Sequence, residues 1–156
     1  MNAPRAMALS LAAAALAGCG GSAPDQKTLM AQTWTCAMTS ETDGLRTDFT
    51  ETVTFRPSGD YRSTASVHAT KGDTKAIMNL EWAGQWAVTQ GKFHRTFVGL
   101  KAVSGDINGI ALTQDRLDAA ATEFRRGPTA EEGKILALDS TQLTIETNFD
   151  PFVCRR

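Results

Sequence analysis

Met78-Asn79-Leu80-Glu81-Trp82-Ala83-Gly84-Gln85-Trp86-Ala87-Val88 is the stretch that decides the fold of this chain. Every even position except Gly84 is large and apolar, while Asn79, Glu81, Gln85 and the following Thr89 fall on the opposite parity. Successive side chains of a strand point to opposite faces, so this pattern describes a long strand with one face buried and one face wet. Gly84 sits between Trp82 and Trp86, where a missing side chain permits the sharp bend that a barrel corner needs.

The same period of two runs through the neighbouring sequence. Trp34, Cys36 and Met38 share one face of an opening strand, and Phe49, Val53 and Phe55 share one face of the next. Arg56-Pro57-Ser58-Gly59-Asp60 reads as a hairpin turn into a strand from Tyr61 to Val67. Downstream, Gln90-Gly91-Lys92 turns the chain into Phe93 to Val98. Further strands are expected at about Leu100 to Ser104, Lys134 to Asp139 and Gln142 to Thr147, with Asp139-Ser140-Thr141 as the turn between the last two. Short strands at regular spacing, joined by turn chemistry, point to an antiparallel barrel or sandwich rather than a parallel sheet.

Two segments depart from this rhythm. Leu117, Ala120, Ala121 and Phe124 recur at helical spacing, Thr113 is a candidate N-cap, and Arg125-Arg126-Gly127-Pro128 supplies a stop. A helix over about 113–126 is therefore expected, covering an end or edge of the β structure. Thr28 to Gln32 reads as a short helical turn that plugs one end with Leu29 and Met30.

Two charges violate the strand pattern. Glu51 has the parity of Phe49, Val53 and Phe55, and Arg95 has the parity of Phe93 and Phe97, so both side chains should point inward. A buried unpaired charge costs several kcal/mol. The two must therefore meet each other, sit at a wet end, or serve a ligand. The candidate ligand-binding set is Glu51, Tyr61, Trp82, Trp86 and Arg95, with small Ser63 and Ala65 leaving room.

Catalytic and metal chemistry is not legible. His68 and His94 are the only histidines, lack ligand spacing and fall on polar strand faces. There is no Gly-x-Ser-x-Gly elbow and no phosphate-cradling glycine loop. The expectation is a protein that is not an enzyme, with no cofactor and no metal. With 16 Lys and Arg against 17 Asp and Glu, the chain has no basic stripe of the kind that nucleic acid requires.

The N-terminal residues add an address. Arg5, the apolar run Ala6 to Ala15 and the closing Leu16-Ala17-Gly18-Cys19 resemble a bacterial lipobox. The run is well short of the roughly 20 apolar residues of a bilayer span. The resemblance implies cleavage before Cys19, lipid on its sulfur and amine, and a cell-envelope protein held on a membrane through its N-terminus. Gly20 after the cysteine, rather than Asp, implies the outer membrane, facing the periplasm. The expected organisation is a signal peptide over 1–18, a flexible Gly/Ser/Ala/Pro tether over 19–27 and one domain over 28–156. With Cys19 assigned to lipid, Cys36 and Cys154 remain in an oxidising compartment and are expected to pair. Closing so long a loop is worth about 4.7 kcal/mol in the chain-entropy model.

Thr33-Trp34-Thr35-Cys36, the Thr54 to Tyr61 hairpin, Gly84-Gln85-Trp86-Ala87-Val88 and the ending from Ile135 to Arg155, taken in that order, resemble the lipocalin-like (calycin) barrels found on bacterial lipoproteins. The family's opening Gly-x-Trp is here Gln32-Thr33-Trp34. The resemblance implies a mainly β protein, a small antiparallel lipocalin-like barrel, with Arg155 packed over Trp34. It also implies a non-enzymatic binding or structural module for a small hydrophobic or amphipathic ligand. The alternative expectation is an envelope accessory or inhibitor that holds another protein through its loops or rim.

Overall fold

The computed structural model describes residues 25–127, 129–147 and 151–156. The lipobox with Cys19, and the tether up to residue 24, lie outside the described residues. The described residues begin with helix α1 (Gln26–Met30), whose first turn is capped by the Asp25 carboxylate accepting from the Thr28 N–H at 2.8 Å. This helix takes in Gln26 and Lys27, two residues expected in the tether. Strands β1 (Thr33–Thr42), β2 (Leu45–Phe55), β3 (Asp60–Lys71) and β4 (Thr74–Thr89) follow as a meander of hairpins. Next come β5 (Lys92–Thr96), β6 (Val98–Ile107), β7 (Ile110–Ala111), helix α2 (Gln114–Arg125), β8 (Ala130–Leu138), β9 (Gln142–Glu146) and β10 (Phe152–Arg155).

Eight of these strands close a barrel. The order β4-β3-β2-β1-β10-β9-β8-β5 returns to β4, and all neighbours are antiparallel. Strand β4 holds β3 along one edge and divides its other edge. Ala76 to Ala83 pair with β6, whereas Trp86 to Thr89 pair with β5. The changeover falls at Gly84, where a Cβ would run into the Thr96 carbonyl and the Tyr61 ring. The bend expected at Gly84 is therefore a close approach of backbone that only glycine allows.

Strands β5 and β6 follow one path broken at Phe97, whose N–H donates to the Thr129 carbonyl at 2.9 Å. Below that break the path pairs with β8; above it the partner is the two-residue β7. The barrel is thus closed at the end that contains Trp34, Phe55 and Phe93, and incomplete at the other. Helix α1 plugs the closed end: Met30 is fully buried, and its carbonyl accepts from the Trp34 indole N–H at 3.1 Å. Phe55 is the hub of the closed core, with ring centroids 5.8 Å from Tyr61, 5.1 Å from Trp86 and 5.7 Å from Phe93.

The expected helix over about 113–126 is α2, and it packs against β6, over the incomplete end. Leu117 and Ala121 are buried, and Leu117 approaches Gly105, which pairs with inward-facing Met78. Thr113 stands at the N-cap, but its side chain makes no capping hydrogen bond. Cys36 and Cys154 are directly opposed on β1 and β10 and form a disulfide.

Several boundaries differ from expectation. Strand β6 runs from Val98 to Ile107 rather than Leu100 to Ser104, and β8 starts at Ala130 rather than Lys134. At the start of β8, Glu131 and Glu132 carry no apolar alternation and become strand by pairing with Arg95 and His94 of β5. Strands β7 and β10 are too short to carry a period. Arg155 does not pack over Trp34. It lies opposite Thr35 with Cys154 facing inward, so its side chain is exposed and donates to Gln142, while Trp34 is buried inside.

Candidate functional site

The two inward charges meet. Arg95 Nη1 lies 2.7 Å from Glu51 Oε1, with Glu51 1% and Arg95 6% exposed. Strand parity alone places them inside, since Glu51 shares a face with Val53 on β2 and Arg95 with Phe93 on β5. A third charge completes the cluster: Glu131 is the direct cross-strand partner of Arg95, and its Oε2 accepts from Arg95 Nε at 2.6 Å. Ser63 donates to Glu51 Oε1 from the neighbouring strand. Such charge-assisted bonds are the condition under which ions tolerate burial.

The guanidinium is also surrounded by rings. Its carbon lies 5.2 Å from the centroid of Phe97 and 5.8 Å from those of Tyr61 and Phe152. Burial works against the Arg95 charge, but Glu51 and Glu131 outweigh it and hold its pKa above the ordinary arginine value. Burial, opposed by Arg95 and reinforced by the two carboxylates, likewise raises the Tyr61 phenol. Tyr61 is therefore neutral, and it donates to the Thr96 carbonyl at 2.9 Å.

Above this cluster, on the α2 side, is a cavity of about 600 Å³. Arg95 and Glu131 form its polar floor. Met38, Phe49, Leu80 and Trp82 supply one wall from β1, β2 and β4; Phe97 and Leu100 supply another; Phe152 adds an aromatic edge. Phe124 and Arg125 of α2, Glu132 of β8, and Thr129 and Thr147 also line the cavity. The rings pack on one another, with Phe49 stacked on Trp82 at 6.4 Å and set edge-on to Phe152 at 6.0 Å. Volume and lining match those of small-molecule sites, which are mostly apolar with a few placed polar groups.

Of the expected ligand set, Trp82 and Arg95 line this cavity. Glu51 does not; it lies behind Arg95. Tyr61 and Trp86 belong to the closed core, where the Trp86 N–H donates to the Arg56 carbonyl at 2.9 Å. Ser63 and Ala65 are buried and leave no space of their own. Glu131, Phe97, Leu100, Phe124 and Phe152 were not legible as site residues. Parity with Arg95 flags Phe97, but nothing in the sequence brings Phe124 or Phe152 to the same place. His68 is exposed, and His94 is half-buried beside Glu132 at 3.2 Å, outside the barrel. Among the described residues no group of three or more His, Cys, Asp or Glu is placed to hold a metal ion.

No protein-family model matches the chain, and no curated protein matches it in sequence. What defines its class is the architecture: a mainly β protein built on a closed eight-stranded antiparallel barrel. That architecture is compatible with a lipocalin-like fold.

Proposed function

We propose that this protein is a lipid-anchored envelope lipoprotein whose barrel is a non-enzymatic binding module for a small amphipathic ligand. The observation that carries the reading is the cavity of about 600 Å³, with aromatic and aliphatic walls and a polar floor at Arg95 and Glu131. A side-chain-filled barrel would have favoured a protein partner instead. The floor groups are bonded to one another in a geometry suited to orienting a bound head group.

In this reading Cys19 carries the acyl chains, which contribute about 0.8 kcal/mol per buried methylene. The cell-envelope location and the outer membrane are parts of the same proposal. No described helix is long and apolar enough to cross a membrane.

Binding is tested with N-phenyl-1-naphthylamine, an uncharged apolar fluorophore, and by native mass spectrometry of the purified protein. Fluorescence should rise on saturable binding, and Leu100→Trp, which fills the cavity, should abolish the rise while leaving the protein folded. Absence of saturable binding to the wild type overturns the ligand reading. Anchoring is tested by Cys19→Ser, which should move the protein from the membrane fraction to the soluble one; retention at wild-type levels refutes it. A second reading, an accessory or inhibitor that grips another protein by its rim, is favoured by one feature: Ile110, at the tip of the β6–β7 hairpin, is 75% exposed.

A further inference from the structure

We infer that the cavity selects amphiphiles with an uncharged head group that accepts hydrogen bonds, such as an acyl ester, amide or alcohol, and discriminates against fatty-acid carboxylates. The inference rests on the ligand-binding reading and assigns the chemistry of the head group within it.

Two observations point the same way. The first is the charge of the floor. Arg95, the cation there, is already bonded to both Glu51 and Glu131. One guanidinium against two carboxylates leaves a surplus negative charge, and Glu51 Oε2 is buried with no hydrogen-bond partner among the described residues. Arg125 and Glu132 are both exposed, where solvent screens them, so the surplus at the buried floor stands. An anionic head laid on Arg95 would meet that surplus between apolar walls, where repulsion is weakly screened.

The second is the supply of donors. Arg95 uses Nε on Glu131 and Nη1 on Glu51, which leaves Nη2 without a partner among the described residues. Trp82, another wall residue and 7% exposed, has a buried indole N–H that lies near the Tyr61 phenol but completes no hydrogen bond among the described residues. Both are donors, so the head group they suit is an acceptor. An arginine that faced the cavity without its carboxylates would favour an anion; this one does not.

The test is displacement of N-phenyl-1-naphthylamine from the full-length protein by three amphiphiles with matched chains: monodecanoylglycerol, decanoate and decylammonium. The glycerol ester should displace the probe at a concentration at least about tenfold lower than decanoate. Glu131→Gln makes the floor neutral and should narrow that ratio, whereas Glu81→Gln, exposed on the outer face of β4 and away from the cavity, should leave it in place. The inference is overturned if decanoate equals the ester, if decylammonium is tighter than the ester, or if a folded Glu131→Gln protein keeps the wild-type ratio. If the fluorophore itself does not bind, the ligand reading has failed instead, and this inference falls with it.

Discussion

Arg95 Nη1 bonds Glu51 Oε1 at 2.7 Å across the interior of the barrel, from β5 to β2, two strands that are not neighbours in the sheet. The bond divides the lumen. On one side Trp34, Val53, Phe55, Tyr61 and Phe93 pack into a closed core with almost no exposure. On the other, Met38, Phe49, Trp82 and Leu100 face the cavity.

Removing the cation should therefore cost more than removing either anion. Arg95→Met leaves Glu51 buried without a counter-charge and should destabilise the fold by about 3–5 kcal/mol. Glu51→Gln should cost less, because Arg95 keeps Glu131 and the amide can still accept from Ser63. In urea unfolding the double variant should lose less than the two singles combined, with a coupling of roughly 0.5–3 kcal/mol. Strict additivity would mean that the two side chains do not interact in solution.

Gly84→Ala tests the changeover on β4. The new methyl would meet the Thr96 carbonyl and the Tyr61 ring, both held by the hydrogen bond between them. Overpacking of this kind costs about 1–3 kcal/mol or more. Gly99→Ala is the comparison: its φ of +65° disfavours a side chain, but no atom lies within 4 Å. Its cost should stay near the roughly 1–2 kcal/mol of the left-handed backbone. A Gly84→Ala protein as stable as wild type would show that β4 does not approach Thr96 this closely.

The Cys36–Cys154 disulfide ties β1 to β10 over a sequence separation of 118. Reduction should lower the unfolding midpoint, with a loss of about 2–5 kcal/mol. Alkylation of the folded, oxidised protein should label neither cysteine. Two titratable thiols in the exported protein would contradict the bond.

Asp139 provides a pH signature in the turn between β8 and β9. Its Oδ1 accepts from the Thr141 N–H at 2.7 Å, the Thr141 hydroxyl at 2.9 Å and the Gln142 N–H at 2.8 Å. The Thr141 backbone bond, followed by the other two, holds the carboxyl below its ordinary value. The folded state thus binds this proton less readily than the unfolded chain does. Its contribution is fully present above the unfolded Asp pKa and is lost as pH falls through the folded one. Asp139→Asn should flatten the acid limb of a stability profile over that window; an unchanged limb would rule the contribution out.

Strand parity, turn residues and the burial of two charges belong to the sequence alone. Met78 to Val88 alternates so regularly that its inward face could be named residue by residue, and Glu51 and Arg95 follow from the same alternation because a strand's period is local geometry. The charge rule then requires them to find partners. Tertiary structure decided which partners. Glu131 lies in a polar segment with no pattern of its own and becomes a strand only because β5 offers it an edge opposite Arg95. Phe124 and Phe152, distant in sequence from Trp82, reach the cavity because α2 folds over β6 and β10 pairs with β1. Alternation states which way a side chain points, but the space between walls depends on closure, and closure is set by the non-local pairings that make β4 exchange β6 for β5 at Gly84.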